Sequence, residues 1–505
     1  MKFPLILLGI LIETCVCTRA ECSESTFKAI LASVPESSLN YVAHVPANGS
    51  FGDAASNVPF PQNATMLPEL CAASVNMKTS QNTSYDFGVF LPAHWNARFM
   101  MTGNGGLGGG INWLDMGLNQ PEKLINWGYR AIHGSATAAK TIIGAYYMGD
   151  IQYSYYASCS TGGRQGLKEI QLHPETFDGV VVGAPAWWTT HLQTWTLKQG
   201  LTNFPDAGPG HIPESLFSTI TDDMLHQCDT QDGLLDQVIG DPLACNFDFN
   251  QLLCQPNQNK SACLTAAQIG TAEKLYRPYL DPSQNQLFPG ISLGSNAAAL
   301  STQPTGLGID FLRYWVFNDS NWDFTQFKIG DVALADAVNP GNATADNFDL
   351  SPFLERGGKL IHYHGLADPL RAAESSQHFY NQVYRTLAPR GVQIDDFYRF
   401  FFIPGMSHCM GSDVAPWYIG GGTQFVPGIS HSVPGFMDRQ HDVILAIMAW
   451  VEKGDMPDQI IATKFRNDTD PQHIASQRPI CSYPRQARYD GWAEPGQPSS
   501  WKCLL

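Results

Sequence analysis

The sequence predicts an α/β fold in which one domain is built from two separated pieces of the chain. Apolar strand-like runs alternate with helical patterns on both sides of the chain centre, which is typical of a parallel sheet with helices on both faces. From about His191 to Ala345 the pattern changes, because β runs become scarce and Asn, Gln, Pro and Gly become common. We therefore expect a large lid domain inserted into the α/β domain.

Each predicted element has its own signal in the sequence. Strands are predicted at "YDFGVFLP" (85–92), "RFMMTGNGG" (98–106), "YSYYASCS" (153–160), "FDGVVVGAP" (177–185), "GGKLIHYHGLADP" (357–369) and "FYRFFFIPGMSHC" (397–409). Helices are predicted at 123–147, 163–175 and 442–454. The last helix places five apolar residues on one face, namely Val443, Ile444, Ile447, Trp450 and Val451.

The N-terminal sequence predicts the location of the protein, and the net charge excludes some classes of partner. A short apolar run follows Lys2, and small residues Thr18 and Ala20 precede a cleavage site, so residues 1–20 are predicted to be a secretory signal peptide. The domains then follow as a first piece of the α/β domain (21–190), the lid (191–345) and a second piece of the α/β domain (346–505). A net charge of −16 argues against nucleic acid or an anionic membrane as a partner.

Sequons and cysteines also indicate an extracellular protein. Seven N-x-S/T sequons predict glycosylation at Asn48, Asn63, Asn82, Asn259, Asn318, Asn342 and Asn467. Of twelve cysteines, ten lie beyond the signal peptide. An even number of cysteines in an oxidising compartment predicts up to five disulfides.

The stretch "YASCSTGGRQG" (156–166) is typical of a strand, a nucleophile turn and a helix, with Ser160 at the turn. It departs from G-x-S-x-G because Ser158, another small residue, replaces the first glycine. Asp368 and His408 each follow another predicted strand, and the order Ser, Asp, His is that of an α/β-hydrolase triad. The alternative for Ser160 is a small residue that the turn requires. The alternative for Asp368 is a turn-forming residue before a proline. His362 and His364 lie inside a strand, where a buried core histidine is the better interpretation.

Cysteines adjoin two of these three residues. Cys159 precedes Ser160, and Cys409 follows His408. A disulfide between them would place their Cα atoms roughly 4.4–6.8 Å apart and bring Ser160 and His408 within reach of each other. Two unrelated structural cysteines are the alternative.

The Cys-Ser, Asp and His-Cys arrangement resembles that of the fungal tannase and feruloyl esterase family, and most closely that of type B feruloyl esterases. The similarity extends through "CSTGGRQGLKEIQLHPETFDGVVVGAPA", "HGLADP" and "GMSHC". It implies an α/β-hydrolase fold with Ser160 as nucleophile, Asp368 as orienting acid and His408 as base. It also implies a secreted enzyme that releases ferulic acid from feruloylated plant cell-wall polysaccharide, such as arabinoxylan, or from small phenolic esters.

Backbone N–H groups are expected to stabilise the oxyanion of such a reaction. One donor is predicted at Thr161, directly after the nucleophile. The second is predicted in "GNGGLGGG" (103–110), where we favour Gly105 or Gly106 because glycine allows close approach of the backbone to a substrate. The same stretch matches G-x-G-x-x-G, but a poor helix start follows, so a dinucleotide site is disfavoured. No organic cofactor is expected.

The loop "CDTQDGLLDQVIGDPLAC" (228–245) is a candidate calcium site, since Asp229, Asp232 and Asp236 supply oxygen ligands. It is not an EF-hand, because Gly240 stands at the twelfth position, and a solvated acidic turn is the alternative. The resemblance implies a structural calcium ion that holds the lid, with main-chain carbonyls of Leu234 and Val238 as further ligands.

The family pattern and proximity in sequence also imply the remaining disulfides. The pairs are Cys22–Cys71, Cys228–Cys245, Cys254–Cys263 and Cys481–Cys503, in addition to Cys159–Cys409.

Two features keep other functions open. Family members carry an additional strand before the helix that precedes the nucleophile, whereas no β-rich run lies between Ile111 and Leu124 here. This shortened segment favours a catalytically inactive binding protein on the same scaffold, and the intact triad argues against it. A tannase is the other alternative. Three lid-entrance tryptophans are candidates either to stack on a phenolic ring or to pack in the core, namely Trp187, Trp188 and Trp195.

Overall fold

The computed structural model describes residues 19–52, 63–107, 121–424 and 433–505. Its strands are, in chain order, β1 Ser37–Val45, β2 Gly49–Phe51, β3 Ala64–Leu67, β4 Leu70–Lys78, β5 Ser84–Pro92, β6 Arg98–Met101, β7 Tyr153–Cys159, β8 Gly179–Gly183, β9 Tyr279–Leu280, β10 Gln286–Phe288, β11 Lys359–Gly365, β12 Tyr398–Ile403, β13 Gln459–Phe465, β14 Ile474–Cys481, β15 Gln486–Tyr489 and β16 Trp501–Leu504.

Helices lie on both sides of the sheet and fill the lid. They are α1 Glu24–Leu31, α2 Pro121–Ile125, α3 Ala131–Tyr147, α4 Thr161–Leu172, α5 Thr189–Asn203, α6 Glu214–Cys228, α7 Ala266–Tyr276, α8 Ala298–Ser301, α9 Gly306–Asp310, α10 Gly330–Val338, α11 Ser351–Glu355, α12 Glu374–Leu387 and α13 Val443–Lys453. A π-helical turn, Asn126–Arg130, joins α2 to α3.

Five parallel strands form the central sheet, in the order β12-β11-β8-β7-β6. The register aligns their carboxyl ends, since Cys159 lies opposite Gly183 and Gly365 lies opposite Ile403. Side chains of a strand alternate between two faces, and the core divides accordingly. Tyr156, Val180 and Leu360 pack on one side with residues of α3, α4 and α12. Residues at the intervening positions, such as Tyr155, pack on the other side with α13. The α/β prediction is confirmed.

The predicted strand 85–92 exists as β5, but it is not part of the parallel sheet. It pairs with β4 in an antiparallel sheet of order β1-β4-β5. Only residues 79–83 separate β4 from β5, and so short a connection permits a hairpin but not the crossover that parallel strands need. Another difference concerns residues 98–106, because β6 ends at Met101 and the glycines form an irregular loop.

The segment between β8 and β11 is mainly helical. It contains α5 to α11 and the two-stranded pair β9–β10. One apolar cluster joins Trp195 of α5 with Phe217 of α6 and Leu275 of α7. A second cluster joins Leu197 with Phe311, Trp315 and, outside the lid, Trp127. The predicted lid boundaries, His191 and Ala345, fall just inside α5 and just after α10.

The remaining observations concern the sequons, membrane-spanning helices, the segments outside the described residues and the edge of the sheet. All seven sequon asparagines are exposed. No helix among the described residues combines the length and apolar character that a bilayer crossing requires. Residues 1–18 of the predicted signal peptide lie outside the described residues, as do residues 111–120 of the shortened segment. Within the described residues, β6 hydrogen-bonds only to β7 and forms one edge of the parallel sheet.

Candidate active site

Ser160 occupies a tight turn between β7 and α4. Its φ of 60° and ψ of −122° are unfavourable for a residue with a Cβ, so the surroundings must enforce them. The Ser160 N–H donates to the Gly183 carbonyl at 2.9 Å, and the Ser160 carbonyl accepts from the Ala186 N–H at 3.0 Å. These bonds hold the turn against the end of β8. The strain that is typical of a nucleophile turn is therefore present here.

Close packing explains the residues that flank the nucleophile. A Cβ on Gly162 would lie 1.9 Å from Ser158 Oγ, so position 162 requires glycine. A Cβ on Gly422 would lie 2.6 Å from the Ser158 Cα, so another backbone segment covers Ser158 directly. Ser158 itself is fully buried. A small residue is required at 158, and serine meets this requirement in place of the usual glycine.

Asp368 and His408 form a direct pair. His408 Nδ1 lies 2.7 Å from Asp368 Oδ2. Asp368 follows β11 and His408 follows β12, and Gly365 allows the two loops to meet. A Cβ on Gly365 would lie 2.2 Å from the Met406 carbonyl oxygen, just before the His408 loop. The structure thus brings together two of the three residues of the predicted triad through adjacent parallel strands.

The third residue is brought near by a disulfide. Cys159 and Cys409 are bonded, with a Cα–Cα distance of 5.9 Å across a sequence separation of 250. This distance lies in the range expected from the sequence. Ser160 Oγ and His408 do not form a hydrogen bond in the structure. Catalytic hydrogen bonds in unliganded enzymes are often long and tighten when substrate binds.

Four hydrogen bonds keep Asp368 ionised. Oδ1 accepts from the backbone N–H groups of Leu370 and Arg371, at 2.8 and 3.0 Å. Oδ2 accepts from His408 and from a second histidine, His364, whose Nε2 is 3.1 Å away. Burial raises the pKa of the Asp368 carboxyl, but the two histidines outweigh burial and hold this pKa well below its usual range. Asp368 is therefore a fixed negative charge beside His408.

His364 ends a buried chain of polar side chains. Tyr398 Oη lies 2.8 Å from His362 Nδ1, and His362 Nε2 lies 2.8 Å from Ser376 Oγ. Ser376 Oγ in turn lies 2.6 Å from His364 Nδ1. A carboxylate only accepts, so His364 Nε2 donates to Asp368, and its Nδ1 accepts from Ser376. His362 then donates to Ser376 and accepts from Tyr398, so each group in the chain has a hydrogen-bond partner and His362 is neutral.

Electrostatics supports this assignment at His362. Burial, with help from the nearby His364, lowers the pKa of His362 well below its ordinary value. The sequence predicted that His362 and His364 are satisfied core histidines, and both are fully buried and hydrogen-bonded. Sequence reasoning missed the bond from His364 to Asp368. The four-residue spacing of the two was the one available signal.

The predicted oxyanion donors lie around the nucleophile turn. Thr161 begins α4, and N–H groups in the first turn of a helix have no partner inside the helix. The Thr161 hydroxyl donates to the Gly106 carbonyl, which ties the glycine loop to the turn. A Cβ on Gly105 would meet no atom within 4 Å, so that residue faces open space. The Asn104 N–H donates to Gln165 Oε1 at 3.1 Å and also fixes this loop to α4.

The acidic loop after α6 forms a compact unit. Asp229 accepts from the N–H groups of Asp236, Gln237 and Val238, and Asp232 accepts from the Leu234 N–H. Asp236 pairs with Arg478 of β14 through Oδ2, while its Oδ1 is buried without a hydrogen-bond partner. Burial is the main cause that raises the pKa of Asp232 and of Asp236. An unpartnered carboxylate oxygen among oxygen donors fits a hard cation such as calcium.

The tryptophans at the lid entrance are packed into the core. Trp187 and Trp195 are almost completely buried, and the Trp187 indole N–H donates to the Ser375 carbonyl. Trp188 is partly exposed and stacks on His191 with ring centroids 3.8 Å apart. The sequence left two interpretations open for these tryptophans. For Trp187 and Trp195 the structure supports packing in the core.

The structure contains the five disulfides that the resemblance implies. They are Cys22–Cys71, Cys159–Cys409, Cys228–Cys245, Cys254–Cys263 and Cys481–Cys503.

Known proteins resemble this chain over most of its length. The family model "Tannase and feruloyl esterase" matches residues 114–504. Two similar relatives are a probable feruloyl esterase B-1 and a probable feruloyl esterase B-2, both from Aspergillus terreus. The first is 34% identical, with 93% of this chain and 94% of the relative covered. The second is 32% identical, with 94% of this chain and 93% of the relative covered.

Solved structures give the same result. Feruloyl esterase B from Aspergillus oryzae superposes with a TM-score of 0.86 and 32% identity, over 96% of this chain and all of that one. A tannin acyl hydrolase from Aspergillus niger has a TM-score of 0.73 at 20% identity, over 96% of this chain and 95% of the other. The second match shows the shared fold alone. The chain therefore belongs to the tannase and feruloyl esterase family, and it is a carboxylic-ester hydrolase with the α/β-hydrolase fold.

Proposed function

We propose that this protein is a secreted serine esterase that releases ferulic acid and related hydroxycinnamic acids from feruloylated plant cell-wall polysaccharides such as arabinoxylan. One observation carries the proposal. The Asp368–His408 pair is joined through the Cys159–Cys409 disulfide to the strained Ser160 turn. The relatives named feruloyl esterase B support the choice of acyl group.

The reaction follows from the proposed roles. Ser160 Oγ attacks the ester carbonyl carbon while His408 Nε2 takes the hydroxyl proton. The carbonyl oxygen becomes an oxyanion, which the Thr161 N–H and an N–H of Gly105 or Gly106 stabilise. The C–O bond to the sugar then breaks, and His408 returns the proton to the sugar oxygen. Water attacks the resulting feruloyl-serine ester by the same route, which frees ferulic acid and Ser160.

Asp368 supports both halves of this cycle. The His408 ring becomes positively charged when it holds the proton, and the ionised Asp368 carboxylate at Nδ1 offsets that charge. The same bond orients the ring so that Nε2 is the free nitrogen. Because Asp368 is almost fully buried, little water screens the interaction.

Calcium binding and secretion are part of the proposal. Carboxylates of Asp229, Asp232 and Asp236, with carbonyls of Leu234 and Val238, would hold a calcium ion. The ion would stabilise the lid loop and take no part in ester chemistry. The signal-like residues 1–20, the disulfides and the exposed sequons support export to the extracellular space as a glycoprotein.

Two other functions are separable by experiment. A tannase would use the same triad on galloyl esters, and the family name covers both activities. An inactive scaffold protein, the alternative that the shortened segment between Ile111 and Leu124 left open, would bind without turnover.

The deciding experiment is ester hydrolysis by the purified secreted protein, with methyl ferulate and methyl gallate assayed in parallel. S160A is the control for contaminating esterases. We expect faster turnover of methyl ferulate, absent in S160A. Preferred turnover of methyl gallate would make the protein a tannase, and no turnover of either ester by a folded, disulfide-intact protein would support the inactive scaffold.

A further inference from the structure

Two histidines and a glutamate meet where α3 packs against the carboxyl end of α4. His133 lies in the first turn of α3, Glu169 lies in the last turn of α4, and His173 directly follows α4. One potential metal-ligating atom from each residue lies within 4.8 Å of the other two. No sequence motif predicts a role for these residues, and they lie outside the triad and the acidic loop.

The glutamate is the buried member of this cluster, and one of its oxygens has no partner. The Glu169 side chain is 1% exposed. Its Oε1 lies 2.9 Å from His133 Nδ1 and accepts from the Thr176 hydroxyl at 2.8 Å. Its Oε2 is buried without a hydrogen-bond partner. An unsatisfied buried carboxylate oxygen is costly, and a bound cation removes that cost.

The two imidazoles are arranged to supply nitrogen ligands. Their ring centroids are 3.5 Å apart and the planes are tilted by only 18°. A ring nitrogen of a neutral imidazole has a lone pair that it can offer to a metal ion. The His133 and His173 side chains are 33% and 27% exposed, so an ion can enter from solvent.

We propose that His133, Glu169 and His173 form a binding site for a divalent transition-metal ion, with zinc as the best match. Two imidazole nitrogens and one carboxylate are a common zinc ligand set, and water completes the tetrahedron. The hard ions calcium and magnesium prefer all-oxygen sites, so this cluster is chemically distinct from the acidic loop. The charged neighbours are Glu175, which favours a cation, and Lys140, whose ammonium donates to the Thr176 carbonyl.

The location indicates a structural role for the ion. Helix α4 begins just after Ser160, and its twelve residues span roughly 18 Å. The site is therefore about one helix length from the nucleophile and does not contact the reacting ester. An ion there would join the start of α3 to the end of α4 and so fix the helix on which the nucleophile turn is built.

The test is calorimetric titration of zinc chloride into the secreted, disulfide-intact protein, with excess calcium present to occupy the acidic loop. All ten cysteines of the described residues are in disulfides, so thiols do not compete for zinc. H173Q is the main variant, because the His173 side chain does not bond to the Glu169 carboxylate, and the substitution leaves the buried carboxylate contacts intact. H133Q is the second variant, and H226Q removes an exposed histidine elsewhere as the matched control.

We expect one zinc ion per chain, at least about tenfold weaker binding in H173Q and in H133Q, and unchanged binding in H226Q. Zinc should raise the melting temperature of the wild-type protein and not that of H173Q. Three results would overturn the proposal: no saturable binding, equal affinity in H173Q, or loss of binding in H408N, which would place the ion at the catalytic histidine instead.

Discussion

Ser160 is the residue on which the proposed chemistry depends. Its Oγ has no substitute in the turn, because Thr161 begins the helix and its hydroxyl is bonded to the Gly106 carbonyl. We predict that S160A lowers kcat by a factor on the order of 10⁶ while the protein remains folded. The measurement is methyl ferulate hydrolysis, with circular dichroism as the check on folding. A mild loss of rate would remove Ser160 from its role.

His364 is a positioning residue at the same scale. It donates to Asp368 Oδ2, and a hydrogen bond to a buried charge contributes about 1.5–3 kcal/mol. We predict that H364L lowers kcat roughly 10- to 100-fold with little change in KM, because Asp368 would then hold His408 less firmly. Steady-state kinetics measures this split directly.

His362 supplies the matched control for H364L. Both histidines bond to Ser376, but only His364 touches Asp368. H362L and H364L should therefore lower the free energy of unfolding by similar amounts. H362L should leave kcat close to that of the wild-type protein. Equal losses of kcat in the two variants would mean that the buried chain has only a structural role.

The sequence predicted the three triad residues but not the contact between His364 and Asp368, for a physical reason. Ser160, Asp368 and His408 each follow an apolar strand, and parallel strands end at one edge of a sheet, so the pattern alone predicts that all three lie at that edge. The bond between His364 and Asp368 also requires the backbone to turn at the end of β11. Ser376 comes from a different element, α12, and no local pattern predicts which buried histidine it reaches.

The Cys159–Cys409 disulfide acts at the scale of elements, since it joins the end of β7 to the loop after β12. A closed loop of 250 residues corresponds to stabilisation on the order of 5 kcal/mol in the chain-entropy model. We predict that C159A/C409A lowers kcat at least about tenfold and lowers the melting temperature, because small displacements between catalytic groups are costly. Kinetics and thermal unfolding measure the two effects.

The control for this variant is C254A/C263A, which removes a lid disulfide of sequence separation 9. It should leave kcat almost unchanged. A wild-type rate in C159A/C409A would show that packing alone holds His408 near Ser160.

Helix α13 is fixed to the central sheet by Glu452. Arg98 of β6 donates to both carboxylate oxygens, at 2.7 and 2.6 Å, and the Tyr155 hydroxyl donates at 2.8 Å. The pKa of Glu452 is lowered, mainly by the hydrogen bond from Arg98. The stabilisation is therefore present above the ordinary glutamate pKa of about 4.3 and is lost as the pH falls through the lower folded-state value.

We predict that E452Q costs about 1–2 kcal/mol of unfolding free energy at neutral pH, a modest value because Arg98 is partly exposed. The difference from wild type should shrink on acidification, since protonated glutamate resembles glutamine. Urea unfolding at neutral and acidic pH is the measurement. A difference that does not depend on pH would show that packing, and not charge, holds α13.

At the scale of elements, the sequence predicted strands but not the partners with which they pair. The runs at 85–92 and 98–106 carry similar β signals, yet β5 joins an antiparallel sheet and β6 a parallel one. Composition does not encode the partner of a strand, because partner choice depends on the length of the connection and on distant residues. The helical prediction for 123–147 was close, and it did not include the π-helical turn at Asn126–Arg130.

At the scale of the whole molecule, the acidic loop connects the lid to the C-terminal strands. Asp236 pairs with Arg478 of β14, and Asp241 accepts from the Gln486 side chain of β15 at 2.8 Å. A calcium ion in this loop would therefore stabilise the contact between two distant parts of the chain. We predict that chelation lowers the melting temperature by about 2 °C or more, which corresponds to a loss on the order of 2 kcal/mol in a chain of this length.

Differential scanning calorimetry with and without EDTA measures the effect, and elemental analysis of the purified protein gives the metal content. D236N should lose most of the response to EDTA. An unchanged melting temperature in a protein that contains no calcium would contradict the calcium proposal.

The overall architecture was the most predictable level. Three features predicted an α/β-hydrolase with an inserted lid. They are the alternation of strands and helices, one interruption of that pattern, and the order of Ser160, Asp368 and His408. The packing of the lid was not predictable, because its helices bury residues against partners far apart in sequence, such as Trp315 against Trp127.

The central claim is that Ser160 is the nucleophile of this esterase. The most direct measurement is reaction with a serine-directed fluorophosphonate, followed by mass spectrometric location of the label once activity has been abolished. We predict one label per chain, on Ser160, with inactivation proportional to labelling. Complete inactivation with the label on another residue, or turnover of methyl ferulate by protein fully labelled at Ser160, would contradict the account.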